Sequence, residues 1–159
     1  MLLLAAAQKL TEERTKAAAL LSKSVSDELK QLSMPHTELI IDLATPDYSG
    51  ALKESDFTPN GCDEVSISIK AHATAAKVAI GKGASGGEMS RIMLALEVVI
   101  AKTHPVGTYI FDEVDAGVGG KAAIEVGRRL HLLAQNSQVI VVTHLPQVAA
   151  WADTHFRVE

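Results

Sequence analysis

The feature that most constrains this chain is the order of patterns over residues 85–143. After Ser85, residues Met89, Ile92, Met93, Leu96, Val99 and Ile100 recur at helical spacing and run toward His104-Pro105. "TYIF" (108–111) is a short apolar run, residues 119–134 are rich in Ala, Val and Leu, and "QVIVVT" (138–143) is β-branched without alternation. A strand with no polar alternate positions is expected to be covered on both faces. Parallel neighbours need a long crossover, which a helix supplies. With a short helix from Pro146 through Ala152 and a last strand at "HFRV", the second half predicts an α/β fold with a mostly parallel sheet and flanking helices.

The first half reads differently. Leu3, Leu10, Ala17, Leu21, Val25, Leu29 and Leu32 recur at helical spacing, which predicts one helix over residues 2–33. At about 1.5 Å per residue it would be roughly 50 Å long, either packed on its own core or forming the end of a coiled-coil arm. Arg14 and Glu28 interrupt the apolar seam. "SMPH" ends the helix, because Pro35 disfavours helix at Met34. "TELIIDLA" and "DEVSISIKA" alternate and predict two strands, antiparallel to each other, with Val65, Ile67 and Ile69 facing one way. Residues 45–62, with Pro46, Gly50, Pro59, Asn60 and Gly61, read as a mobile loop, and a second loop reaches Gly83.

Bulk properties exclude several classes. At 159 residues the chain suits about one domain. Aromatic residues make up 4%, which argues against stacking platforms for single-stranded nucleic acid. Cys62 is the one cysteine, so neither an internal disulfide nor a Cys-rich zinc site is available, and a reducing cytoplasm is the expected compartment. Net charge is −4, with residues 34–69 holding Lys53 against seven acidic side chains. No basic stripe marks a nucleic-acid footprint. "MLLLAAAQKL" lacks the basic start of a secretory leader, and no run approaches the length of a membrane span.

"YIFDEVD" sets Asp112 and Glu113 just beyond an apolar strand, where ligands gather in open α/β sheets. The pair either caps a following turn or does chemistry. In the second case Asp112 suits Mg²⁺ held through water, and Glu113 suits deprotonation of a water attacking a γ-phosphate. "VVTHLPQ" places His144 beyond the neighbouring strand, either as a structural histidine or as a γ-phosphate contact. "GKGASGGEMSR" (81–91) is a glycine-rich turn opening onto a helix, a usual phosphate cradle. It is not the loop G-x-x-x-x-G-K-[ST], since Lys82 precedes the Ser-Gly-Gly. "DAGVGGKA" (115–122) fails the same test, with Asp115 in place of the first glycine and Ala122 in place of Ser/Thr. Ser85 follows a loop that reaches Gly83 and not a strand, which argues against a hydrolase elbow.

Taken together, "GKGASGGEMSRIMLALEVV", "FDEVDAGVGG" and "VVTHLPQVAA" resemble the C-terminal half of an ABC-type ATPase head and, within that superfamily, the RecN family of bacterial SMC-like DNA-repair proteins. The resemblance is strong over residues 80–159. Residues 1–79 resemble, more weakly, a returning coiled-coil strand (1–33) and the first strands of the C-terminal head lobe (34–159). It implies that Ser85, Gly86, Gly87 and Glu88 form the signature motif, which touches ATP held by the opposite head. It implies that Asp112 is the Walker B aspartate for Mg²⁺, Glu113 the general base and His144 the switch histidine. Asp115 through Gly120, with Asp115 and Gly117 near nucleotide, match the D-loop at the head–head interface. Ala84 stands where transporters usually have Leu, and Gly119 where their D-loop often has Asp; the second departure favours the RecN-type family.

The family's Walker A lysine and Q-loop belong to an N-terminal lobe and find no match here, so a fragment beginning inside the coiled coil is expected. The implied partners are that Walker A lobe, a second head closing on ATP, and DNA, in a cytoplasmic, nucleoid-associated protein with no membrane contact. The alternative is a non-catalytic dimerisation module of an SMC-like protein. A free-standing metabolic enzyme fits poorly, since no cofactor fingerprint is complete. Without a Walker A cradle, the 159-residue chain alone is expected to release phosphate from ATP at background rate. Turnover at ABC-head rates, abolished by Glu113→Gln, would contradict this.

Overall fold

The computed structural model describes residues 2–50, 52–82, 84–101, 103–104 and 106–157. Four helices, α1 (Leu2–Gln31), α2 (Gly86–Ile100), α3 (Lys121–Ala134) and α4 (Pro146–Ala149), surround two small sheets. Strands β1 (Glu38–Ala44), β2 (Glu64–Lys70) and β3 (Val78–Ala79) form an antiparallel sheet in that order. Strands β4 (Thr108–Phe111) and β5 (Gln138–Val141) form a parallel pair, with Tyr109 opposite Val139 and Phe111 opposite Val141. The parallel component thus has two strands among the described residues. His155, Phe156 and Arg157 are irregular, which corrects the expected strand at "HFRV", and Val158 lies outside the described residues. β3 was read as loop because two residues carry no period.

α1 ends one turn before Pro35. The Met34 N–H reaches back to the Leu29 carbonyl at 3.0 Å, and Ser33 takes φ 60°, the left-handed closure usually given to glycine. The last turns of α1 enter the core, with Val25, Leu29 and Leu32 fully buried beside Ile92 and Leu94 of α2 and Val126 of α3. Ser26 Oγ accepts the Leu39 N–H at 3.0 Å and ties the helix to β1.

The two charges that broke the apolar seam are used for the same docking. Arg14 Nη1 lies 3.2 Å from Asp63 Oδ2, whose side chain is fully buried, and Arg129 Nε lies 3.0 Å from Glu28 Oε2. Arg129 also pairs with Glu125 one turn earlier on α3. The loop over 45–62 is likewise held and not free. Thr11 Oγ1 bonds both Tyr48 Oη and Asp63 Oδ1 at 2.7 Å, and Gly61, at φ 90°, presses against Leu10, where a Cβ would come within 2.8 Å.

The parallel pair is covered on one face only among the described residues. Tyr109 and Phe111 point into the core with ring centroids 6.2 Å apart, and Val139 and Val141 are half-buried beside them. On the opposite face Ile110 is 72% exposed, Ile140 45% and Val142 60%. The unalternating run that predicted two covered faces is present, but its second face is open. Behind the pair, Trp151 lies flat on Gly127 of α3, an approach that leaves no room for a Cβ.

Removing the buried carboxylate should release the 45–62 loop first. Asp63→Ala is expected to speed limited proteolysis within residues 45–62 and to cost about 1.5–3 kcal/mol of stability in urea unfolding, the range for hydrogen bonds to a charged group. An unchanged cleavage rate would show that the Thr11–Asp63–Arg14 contacts do not hold the loop.

Candidate functional site

β4 stops at Phe111, and the chain turns at once. The exposed Asp112 carboxylate accepts the Glu113 N–H at 2.9 Å through Oδ1. Glu113 sits at φ 56°, a left-handed conformation that costs a non-glycine residue about 1–3 kcal/mol and needs support from its surroundings. Val114 then plunges into the core, fully buried, and fixes the turn from below. The Ala116 N–H closes it on the Glu113 carbonyl at 2.9 Å.

Asp115 is 3% exposed and turns inward. It accepts the Thr143 hydroxyl hydrogen at the end of β5, and its Oδ2 lies 3.7 Å from His144 Nδ1. Thr143 Oγ1 in turn accepts the Leu145 N–H at 3.1 Å, so the carboxylate organises the chain that carries His144. The His144 ring itself is 78% exposed. Because β4 and β5 are adjacent and parallel, their carboxyl ends open on one side. Asp112, Glu113, Asp115, Thr143 and His144 line a single open cleft of about 350 Å³ there.

The turn before α2 stands beside this cleft. Ser85 is the N-cap, with extended backbone (φ −67°, ψ 162°), and forms a capping box with Glu88. The Ser85 N–H donates to Glu88 Oε2 at 2.9 Å, and the Ser85 hydroxyl donates to the same oxygen at 2.8 Å. These two bonds, the backbone one first, hold the Glu88 carboxyl below its ordinary range. Gly86 faces the cleft, with the Glu113 Oε2 atom lying where a Cβ would be. Gly87 is buried against the turn, where a Cβ would meet Ala116 Cβ at 2.7 Å and the Ala116 carbonyl oxygen at 2.9 Å. The two glycines of the motif therefore have separate reasons, one clearing the cleft and the other permitting helix–turn contact.

Of the sequence-predicted site residues, Asp112, Glu113, Asp115 and His144 converge on the cleft, and Gly86 joins them through Glu113. Ser85 and Glu88 lie at the exposed mouth of the same turn. Gly117, at φ 73°, and Gly120, at φ 54°, shape the following loop, and Gly117 has no neighbour that a Cβ would meet. Asp115 lines the cleft as a buried residue, with its carboxylate bonded to Thr143 within the chain. Ser90, Arg91 and Thr143 were not anticipated. Ser90 Oγ donates to the Asp112 carbonyl and Arg91 Nη1 to the Ala116 carbonyl, both at 2.7 Å. The one sequence signal for Arg91 was a cation between Met89 and Ile92 on the apolar face of α2.

No group of three or more His, Cys, Asp or Glu side chains is arranged to hold a metal among the described residues. The exposed Asp112 carboxylate could still hold Mg²⁺, which keeps several waters and takes phosphate oxygens beside one or two carboxylates.

No protein-family profile matches the chain. The chain is 53% identical over 157 residues to the DNA repair protein RecN of Streptomyces coelicolor, covering 96% of this chain and 27% of the relative. It is 46% identical to RecN of Mycobacterium leprae, over 94% of this chain and 28% of that one. It is RecN-like along almost its whole length. RecN of Haemophilus influenzae, at 38% identity over 98% of the chain, extends the match to a distant lineage. The chain thus spans about a quarter of the length of the RecN relatives it matches. The fold is similar to part of an SMC head domain. It superposes on the Smc head from Pyrococcus furiosus, solved with an extended coiled coil and bound to the C-terminal domain of ScpA, with a TM-score of 0.60 and 26% identity over 89% of this chain and 31% of that one. The Smc head of Pyrococcus yayanosii gives the same TM-score of 0.60 over 89% of this chain and 24% of its own.

The Ser85–Glu88 box makes a pH-dependent contribution to stability. A carboxyl held low in the folded state contributes above the ordinary glutamate range and loses that contribution as pH falls through its folded-state value. Urea unfolding of the wild-type chain should therefore weaken more between pH 7 and pH 3 than that of Glu88→Gln. Ser85→Ala should cost about 0.5–2 kcal/mol at pH 7. Parallel acid profiles for wild type and Glu88→Gln would remove the box from the account.

Proposed function

We propose that this chain is the C-terminal lobe of the ATPase head of a RecN-like protein acting in DNA double-strand-break repair. One observation carries the reading: the Asp112–Glu113 pair and His144, from two adjacent parallel strand ends, line one cleft, and the Ser85–Glu88 turn stands beside it through the contact of Gly86 with Glu113. The Ser-Gly-Gly-Glu turn presents a helix N-terminus suited to a phosphate, and the sequence carries no G-x-x-x-x-G-K-[ST] loop to cradle the β- and γ-phosphates of a nucleotide bound here. Ser85 through Glu88 therefore serve ATP bound by a second head, in trans, while Glu113 and His144 serve the nucleotide at their own cleft. Asp112 would hold Mg²⁺ through water, and the ion would neutralise charge on the phosphates. Glu113 would take the proton of the attacking water, and His144 would contact the γ-phosphate.

The Walker A lobe is supplied by polypeptide outside these residues. The open apolar face of Ile110, Ile140 and Val142 is where it seats, since an exposed aliphatic face on a parallel pair gains most from a covering layer. α1 forms the root of a coiled-coil arm whose last turns belong to the head core. ATP-driven closure of two heads couples hydrolysis to engagement of DNA, in the cytoplasm at the nucleoid. The acidic run over 34–69 gives no local support for a DNA contact.

The test joins this chain to the N-terminal remainder of its Streptomyces coelicolor relative and measures ATP turnover. Restored hydrolysis is expected, falling by about two to four orders of magnitude in Glu113→Gln while ATP binding persists and a closed dimer accumulates. Ser85→Ala should instead impair closure. Wild-type turnover in Glu113→Gln would sink the assignment of the base. Absence of any turnover in the joined protein would favour a non-catalytic dimerisation module.

A further inference from the structure

The strained turn that carries Glu113 is held from one side, and the holder is α2. The Asp112 carbonyl, just before Glu113, accepts the Ser90 hydroxyl hydrogen at 2.7 Å. The Ala116 carbonyl, three residues after it, accepts an Arg91 Nη1 hydrogen at 2.7 Å. Between them Gly87 packs so closely that a Cβ would lie 3.1 Å from the Glu113 carbonyl oxygen. Ser90 and Arg91 are consecutive on one helix, yet they bracket the only other residue besides Ser33, among the described non-glycine residues, that has a positive φ.

Arg91 is the more telling of the two. Its side chain is buried, with the residue 6% exposed, and burial disfavours its charge. Among the described residues it forms no ion pair, and its Nε has no hydrogen-bond partner. A helix that needed only packing at this position would carry an aliphatic side chain, as its buried neighbours Ile92 and Leu94 do. A cation kept in such surroundings for one bond to the Ala116 carbonyl indicates that the bond itself is what the position requires.

We propose that Ser90 and Arg91 are positioning residues for the general base. They clamp residues 112–116 in the turn that sets Glu113 in the left-handed region, with its carboxylate against Gly86. Both clamps sit on the helix whose first turn is Ser85–Glu88, so the trans-acting turn and the cis-acting base move as one body. A phosphate drawn onto the Ser85 turn by a partner head then shifts Glu113 with it, because the carbonyls on both sides of Glu113 are tied to α2. This rests on the assignment of Glu113 as the base, made above. The clamp itself is a property of this chain and is testable without any nucleotide.

The first measurement is made on the 159-residue chain by NMR. The Glu113 Cα and Cβ shifts and its HN–Hα coupling should report a left-handed backbone in the wild type. Ser90→Ala and Arg91→Met should move these values toward ordinary backbone, while Ser90→Thr and Arg91→Lys, which keep a donor, should restore them in part. Ser90→Ala changes a half-buried hydroxyl only, so it keeps the test available if Arg91→Met fails to fold. Wild-type Glu113 values in a folded Ser90→Ala, Arg91→Lys double variant would overturn the clamp.

The second measurement uses the chain joined to the N-terminal remainder of the Streptomyces coelicolor relative. Loss of either donor should lower kcat at least tenfold with KM for ATP changed less than twofold. Adding Glu113→Gln should then lower kcat by far less than it does in the wild type, because both changes act through one carboxylate. Additive losses would overturn the positioning role. Intact Glu113 shifts in the NMR test refute the clamp whatever the turnover. A joined protein in which the clamp is seen but Glu113→Gln has no effect refutes the ATPase assignment instead.

Discussion

Gly87 meets Ala116 at a distance no side chain would permit, and the rest of the site depends on that approach. Because the helix can lie this close, Ser90 and Arg91 reach carbonyls on the far side of the turn, and Gly86 lies under the Glu113 carboxylate. Val114 anchors the same turn from the core, so the segment after β4 is gripped by a buried side chain below and by α2 beside it. A left-handed residue persists only where its surroundings over-determine it, and here they do. Asp115 continues the arrangement across the cleft, joining the turn to Thr143 and the chain that carries His144.

The long helix answers to a different constraint. A coiled-coil seam wants apolar residues, and Arg14 and Glu28 break it. Both are accounted for by contacts within the chain: Arg14 meets the buried Asp63, and Glu28 meets the buried Arg129 of α3. These charges fix α1 against the lobe and not against a second helix over that stretch. α3 begins just after the glycine turn that follows Asp115, so the Glu28–Arg129 pair also links the helix root to the segment nearest the cleft. The acidic loop over 45–62 reads as a free segment in sequence, but Asp63 and Tyr48 bind it to Thr11.

Elements with a clean period were legible. The helical spacing of α2, the apolar "TYIF" and the alternation of β1 and β2 each encode their own geometry; the structure has the strands within a residue or two, while α2 ends at Ile100, short of the expected end near His104. β3 and the irregular end at His155–Arg157 were not legible, since a two-residue strand has no period and "HFRV" has one without a neighbour to pair with among the described residues. In the site, Asp112, Glu113, Ser85 and His144 were legible because ligand-binding residues cluster at strand ends and helix starts, and order along the chain records both. Arg91 was hidden within an apolar stripe, and Thr143 behind the more conspicuous His144.

By itself the sequence determined the order of elements, the parallel crossover from β4 through α3 to β5, and which residues stand at the open ends of those strands. Local periodicity and turn chemistry suffice for that, because each is set by residues close along the chain. Only the tertiary structure decided that Asp115 turns inward, that Glu113 adopts a left-handed backbone over Gly86, and that Arg91 spends a buried charge on one carbonyl. Those outcomes depend on distances between segments more than twenty residues apart, where packing and hydrogen-bond satisfaction outweigh any preference written locally.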